Sequence, residues 1–275
     1  MNSGSLSNKF HKAAVVAGMA TMLLMVTSCS AGTAQVAASP DSSSAASNPA
    51  ASPSASAVAT PSGPKPGDVI NGIPTKKELA NDGKGTYIQA TVADDSPLFA
   101  YKASVVEDTA TARFSEADIV EAQKVAAKFI VEEVLDSTMN GNPTDTAVKD
   151  AWWAKNKDKY QAGYHEEIHA AVLGNNERAG FSYRGYFREY DLAYGNEATH
   201  LDSYTLDLTR VAGGEVRGLS GLGFYYTSTF SMNASVGGHT TPETSNATTS
   251  LSLVKENGKW LIVGNELRYT TIPVK

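Results

Sequence analysis

Near the C-terminal end, an Asn257-Gly258 pair sits between two apolar runs in "SLSLVKENGKWLIV". A two-residue connection between antiparallel strands takes a type I′ turn, which needs positive φ at both central residues, and Asn-Gly meets that need with least strain. The pair therefore commits the residues on either side of it to a hairpin. The stretch before it has the same texture. "HLDSYTLDLTRV" places Tyr204, Leu206 and Leu208 on one face, and "LGFYYTSTFSM" reads as a long strand. The glycines of "GLSGLG", Gly218 to Gly223, read as places where that strand bends or bulges. They match neither a phosphate loop, which needs Lys and Ser/Thr, nor a nucleophile elbow, whose second Gly would fall at Leu222. "FSYRGYFREY" is aromatic and alternating, so it reads as a further strand. Tyr183, Tyr186, Tyr190 and Tyr194 fall on both faces of that sheet; exposed tyrosines suit a binding surface, although strands favour tyrosine anyway.

Helices precede these strands. Ser115 is placed to cap a helix running to about Ser137, with Asp118 at the N3 position and Phe114 and Ile119 set as a hydrophobic staple. Ile119, Ala122, Ala126, Phe129 and Ile130 recur at helical spacing and form one apolar stripe. "NGNP", Asn140 to Pro143, stops it. A second helix is expected from Asp145 to Lys155, where Trp152-Trp153 either line a pocket or divide into one core and one partly exposed ring. A third carries "YHEEIHAAV" and ends near Gly174, expected in the left-handed conformation that closes many helices. Upstream, Thr86 to Val92 reads as a strand, Leu98 to Val106 as a second, and the entry from Pro66 to Gly85 as loosely structured.

Helices followed by four or five antiparallel strands predict an α+β domain with helices packed on one face of a curved sheet. This order, with Val254, Gly258, Trp260 and Ile262 in the closing hairpin, resembles the nuclear transport factor two-like superfamily. The resemblance covers residues 112 to 272 in layout and implies a cone-like domain, in which a long helix lies across a bent sheet. Such a domain holds a small ligand between sheet and helices, or pairs through its sheet with a second copy or another protein. Residues 66–111 stand outside it as an extension.

The N-terminus reads as a leader. Lys9 and Lys12 precede 16 apolar or small residues, Ala13 to Ser28, which as a helix would reach only about 24 Å. That is short for a membrane span and right for a secretory signal over residues 1–28. It ends in "VTSC", Val26 to Cys29, which holds the chain's one cysteine and resembles the lipobox of bacterial lipoproteins. The resemblance implies cleavage before Cys29 and lipid attachment there, hence a protein anchored to the cell membrane and facing outward. An ordinary cleaved signal and an uncleaved anchor stay open as alternatives. Residues 29–65 are Ala, Ser and Pro with almost no bulky side chain. They cannot bury enough surface to offset the entropy of ordering, and read as a disordered tether on the order of 30–35 Å long.

His165, Glu166 and His169 spell H-E-x-x-H, the pattern that lets two imidazoles one turn apart share a zinc ion while the glutamate activates a bound water. Three features weigh against that chemistry. Glu167 adds an acid where such enzymes keep an uncharged residue. "AAVLGNN" lacks the H-x-x-G-x-x-H continuation. The helices precede the sheet, whereas zincins place a sheet first; Glu189, at a suggestive distance, falls in a presumed strand. The competing expectation is a short amphipathic helix, with Tyr164, Ile168 and Ala171 buried, the histidines flanking them, and Glu166 and Glu167 in solvent.

The formal charge is −6 and becomes −8 when the leader takes Lys9 and Lys12 with it. An unclustered acidic balance argues against nucleic acid or anionic lipid as the main partner, since both need a basic footprint. The resulting expectation is a lipid-anchored, non-catalytic module of the cell envelope that needs no cofactor and binds a small ligand or an envelope protein. The alternatives are a zinc hydrolase on His165, Glu166 and His169, and an accessory subunit of an envelope or secretion complex.

Overall fold

The computed structural model describes residues 63–142, 144–174, 191–192, 199–236 and 239–272. The expectations placed on Cys29, the leader, the tether, Glu189 and the four tyrosines from Tyr183 to Tyr194 lie outside these residues. The described chain is α+β. A small sheet, β1 (Val69–Ile70), β2 (Ile73–Asn81) and β3 (Thr86–Ala90), comes first, in the order β1-β2-β3. Four helices follow: α1 (Asp108–Thr111), α2 (Glu116–Phe129), α3 (Thr146–Asn156) and α4 (His165–Leu173). The second sheet is antiparallel: β4 (Asp191–Leu192), β5 (Leu201–Val216), β6 (Leu219–Val236), β7 (His239–Glu256) and β8 (Lys259–Ile272). In it β6 pairs with β4, β5 and β7, and β7 pairs with β8. No helix among the described residues is long and apolar enough to cross a membrane.

Both hairpin turns at this end of the large sheet are two-residue loops with positive φ. Asn257 and Gly258 sit at φ 50° and 77° between the paired Glu256 and Lys259, as the Asn-Gly signal requires. Arg217 and Gly218, at 50° and 82°, join Val216 to Leu219 in the same way. Gly218 is thus a turn residue, which corrects its reading as a bend within a strand. The arginine hid the turn, because a long side chain at the first position carries no turn signal of its own.

The start of α2 follows the sequence closely. Ser115 Oγ accepts from the amide of Asp118, and the Asp118 carboxylate accepts from the amide of Ser115, satisfying two otherwise orphaned donors. Ile119, Ala122, Ala126, Phe129 and Ile130 are all buried, and α2 packs against β6, β7 and β8. At Ile130 the helix widens into a π-helix, Ile130–Leu135, closed by a bond from the Asp136 amide to the Val131 carbonyl at 2.9 Å. The wider ladder leaves carbonyls at its end turned toward β3, and β3 answers them. Tyr87 Oη donates to the Asp136 carbonyl at 2.9 Å, and Gln89 Nε2 donates to the carbonyls of Glu132 and Asp136 at 2.6 and 2.8 Å.

Other expectations are corrected here. Residues 66–85 hold β1 and most of the β2–β3 hairpin, with Ile70 and Ile73 buried at its start. Its Lys77, Glu78 and Leu79 are exposed, so no alternation announced the strand. Leu98 to Val106 is not a strand but two short 3₁₀ turns, Pro97–Phe99 and Ala103–Val105. Ser96 Oγ caps the first, and the Gln123 side-chain amide holds the Leu98 carbonyl, a tertiary contact invisible in the local pattern. Gly174 closes α4 with φ −65°, so it is not left-handed.

Candidate functional site

Beneath the end of the π-helix lies a buried polar cluster. His200, immediately before β5, is 1% exposed and stacks on the Tyr87 ring at 3.8 Å and 16°. Its Nε2 lies 3.2 Å from Asp82 Oδ2, and its Nδ1 lies 3.8 Å from Asp136 Oδ1. Asp82 belongs to the β2–β3 turn and its Oδ1 accepts the amides of Lys84 and Gly85, each at 2.9 Å. Asp136 Oδ2 accepts the amide of Ala90 at 2.6 Å. The backbone of Gly141 runs so close to Asp82 that an added Cβ would stand 2.7 Å from the Asp82 Cβ. The two carboxylates face opposite nitrogens of one ring, so the trio cannot converge on a single metal ion and instead ties the hairpin, the π-helix and β5 together.

The two acids are driven apart. Burial pushes the Asp136 carboxyl up to about 6, against the opposing pull of His200 and the Ala90 amide. Burial also opposes ionisation of Asp82, but bonds from His200 and from the amides of Lys84 and Gly85 outweigh it and hold that carboxyl at about 2. The linkage follows from these values. Asp136 binds its proton more tightly folded than unfolded, so its contribution is full below the ordinary range near 4 and is lost as pH rises through about 6. Asp82 contributes above pH ~4, and that contribution is lost as pH falls through about 2. Asp136→Asn should abolish the first effect. Its stability relative to wild type should improve by on the order of 3 kcal/mol between pH 4 and 7, read from urea unfolding at each pH; a difference independent of pH would show that Asp136 is already ionised at pH 4.

A third buried carboxylate, Glu133 of the π-helix, is 0% exposed and surrounded by cations. Lys155 and Lys159 Nζ each lie 3.1 Å from its Oε1, Lys76 Nζ lies 3.7 Å away, and Asn156 Nδ2 donates to Oε2 at 2.9 Å. Burial opposes its ionisation, but the three ammonium groups and Asn156 overcome that and hold it below the usual range. Burial also lowers Lys155. Lys76 reaches this place because β2 bulges. Thr75 pairs with Ala90 and Leu79 with Ile88, so the segment between them loops off the ladder.

Of these groups Lys76 and Lys155 reach into a cleft of about 620 Å³ between β2 and α3. Lys76, Leu79 and Asn81 line it from the strand, Val148, Ala151, Trp152 and Lys155 from the helix, and Gln89 and Thr138 from below. Trp152 is 1% exposed and packs edge-on against Phe129 at 6.3 Å, and Trp153 is buried as well, so both rings belong to the core, which corrects the expectation of one partly exposed ring; Trp152 also borders the cleft.

The H-E-x-x-H residues lie elsewhere, on α4. Tyr164, Ile168 and Val172 are buried, Ala171 is half-buried, and Glu166 and Glu167 are exposed. The two imidazoles do not converge. His165 Nε2 donates to the Tyr160 carbonyl at 3.1 Å, whereas His169 Nε2 lies 3.2 Å from Asp150 Oδ1. Trp153 separates their roles, stacking on His169 at 5.2 Å and meeting His165 edge-on at 5.5 Å. Glu167 pairs with Arg217 at 2.6 Å. Among the described residues no group of three His, Cys, Asp or Glu side chains is placed to hold a metal ion.

Sequence reasoning passed over Lys76, Gln89, Lys155 and the Asp82–His200–Asp136 trio. Each is a lone polar residue in its own segment, and only the packing of β2, β3 and α3 brings them together. Fold and cleft together define an α+β domain with a groove beside its helices that has an apolar wall and a few polar groups. Set against protein-family models, curated protein sequences and solved structures, the chain matches none.

Proposed function

We propose that this is a lipid-anchored protein of the outer face of the cell membrane, held by Cys29, whose cone-like domain is a non-catalytic binding module. The cleft that α3 of this domain forms with β2 of the preceding extension is the ligand site. The observation that carries this reading is the cleft itself: a groove of about 620 Å³ with an apolar wall at Trp152, Val148 and Ala151 and a polar floor at Gln89, Thr138 and Lys155. Such a mixture of apolar wall and few convergent polar groups is what small-molecule sites present. The signal, the "VTSC" motif and the Ala/Ser/Pro tether support the address, and the packing of α2 on β6, β7 and β8 is consistent with the nuclear transport factor two-like arrangement.

The test is native mass spectrometry of the full chain released gently from membranes. A copurifying small molecule is expected, and Ala151→Trp, which fills the groove from an exposed helix position, should remove it without unfolding the protein. Retention of the molecule by that variant would move the site elsewhere. Cys29→Ala is expected to shift the protein out of the membrane fraction; unchanged partitioning would refute the lipid anchor.

A further inference from the structure

We infer that the ligand of this cleft is a small anion, a carboxylate or phosphate monoester on a short apolar body; the inference rests on the cleft being the binding site. The lining places cations in front and carboxylates behind. Glu133 is fully buried and Glu132 is 13% exposed, while Lys76, Lys155 and Lys159, which pair with them, are 26%, 41% and 38% exposed. Lys76 and Lys155 line the cleft while the carboxylates they pair with, Glu132 and Glu133, do not, so ammonium groups and not those acids face it; Lys159 meets Glu133 from outside the cleft. An ammonium carries three donor hydrogens. Lys155 spends one on Glu133, at 3.1 Å, and Lys76 meets Glu132 at 2.7 Å, so both keep donors for a further acceptor.

The rest of the lining fits the same ligand. Of the two other charged side chains in the cleft, Asp145 is committed to capping α3, accepting from the Ala147 amide at 2.8 Å, and Glu78 stands out in solvent on the β2 bulge. The apolar wall suits a short hydrocarbon or aromatic body. The arrangement also explains the bulge. A regular β2 would pass Lys76 along the ladder, whereas the looped segment delivers its ammonium to the π-helix acids and to the cleft.

Lysine reactivity reads the site residue by residue. The full-length protein is treated with a limiting acetylating reagent, and the rate at each lysine is followed by mass spectrometry. Inorganic phosphate, butanoate, butan-1-ol and sodium chloride at matched ionic strength serve as additions. Phosphate or butanoate should slow acetylation of Lys155 and Lys76 at least threefold and leave the exposed Lys259 unchanged. Which of the two protects better separates a phosphate ligand from a carboxylate. In Lys76→Gln the protection of Lys155 should be lost. Equal protection by butan-1-ol, or protection that survives Lys76→Gln, would overturn the anion assignment while leaving the cleft as a binding site. No protection by any addition would overturn the anion site, and with a wild-type chain that also copurifies with no small molecule, the binding reading falls too.

Discussion

Replacing His200 by alanine is expected to destabilise the protein by about 3–5 kcal/mol, the range for removing one partner from a buried charged cluster. The imidazole lies between two acids that are themselves 1% and 0% exposed. Asp136 Oδ1 accepts no hydrogen bond among the described residues, so without the imidazole 3.8 Å away it is left more isolated still, and the Tyr87 ring loses its stacking partner at 3.8 Å. Loss of the ring also opens a cavity where three elements meet, and the surrounding backbone has little freedom to collapse into it. The double variant His200→Ala/Asp136→Asn should regain part of the loss, because a buried amide carries no charge to be left in an apolar site. Such non-additivity is the signature of one network. Urea unfolding at pH 7 measures both. A loss below about 1 kcal/mol, or strict additivity, would show that the trio does not hold the hairpin to the large sheet.

A second large effect is expected from a single methyl group. Gly213→Ala should cost about 3 kcal/mol, at the upper end for overpacking, whereas Gly214→Ala next to it should be neutral or slightly stabilising. The Gly213 amide donates to Thr109 Oγ1 at 3.1 Å, and the Glu107 amide donates to the Val211 carbonyl at 2.9 Å, so the start of α1 lies directly on β5. An added Cβ at Gly213 would overlap the Thr109 carbonyl oxygen and stand 2.8 Å from the Ala110 Cα. These are backbone atoms that cannot rotate away, and Ala110 is fully buried. Gly214 has open space at the same point. Thermal unfolding of the two variants side by side gives the comparison. Equal melting temperatures would mean that α1 lifts from the strand at little cost.

The Asn257-Gly258 turn, the Ser115 cap and the apolar stripe of α2 were legible because each is decided within a few residues. A type I′ turn asks for two positive φ angles, a cap for one oxygen near two free amides, and an amphipathic helix for a repeat of 3.6. The Arg217-Gly218 turn and β2 were not legible. The first is imposed by the pairing of two long strands, and the second by pairing with β3 and by the reach of Lys76 to Glu132 and Glu133 of the π-helix. The H-E-x-x-H pattern shows the same limit from the other side. Spacing put His165 and His169 on one helix, but Tyr160, Asp150 and Trp153, all outside the motif, decided where their nitrogens turn.

By itself, then, the order of residues determined helices α2, α3 and α4, the hairpin at the C-terminus, the buried face of α2 and the α+β class, because local sterics and periodicity are short-range. Only the tertiary structure decided that Lys76, Lys155 and Glu133 share one cleft and that Asp82, His200 and Asp136 share one buried knot. Those groups come from segments up to 118 positions apart along the chain, and what joins them is the exclusion of water from a surface that exists only once β2, β3, α3 and β5 have packed.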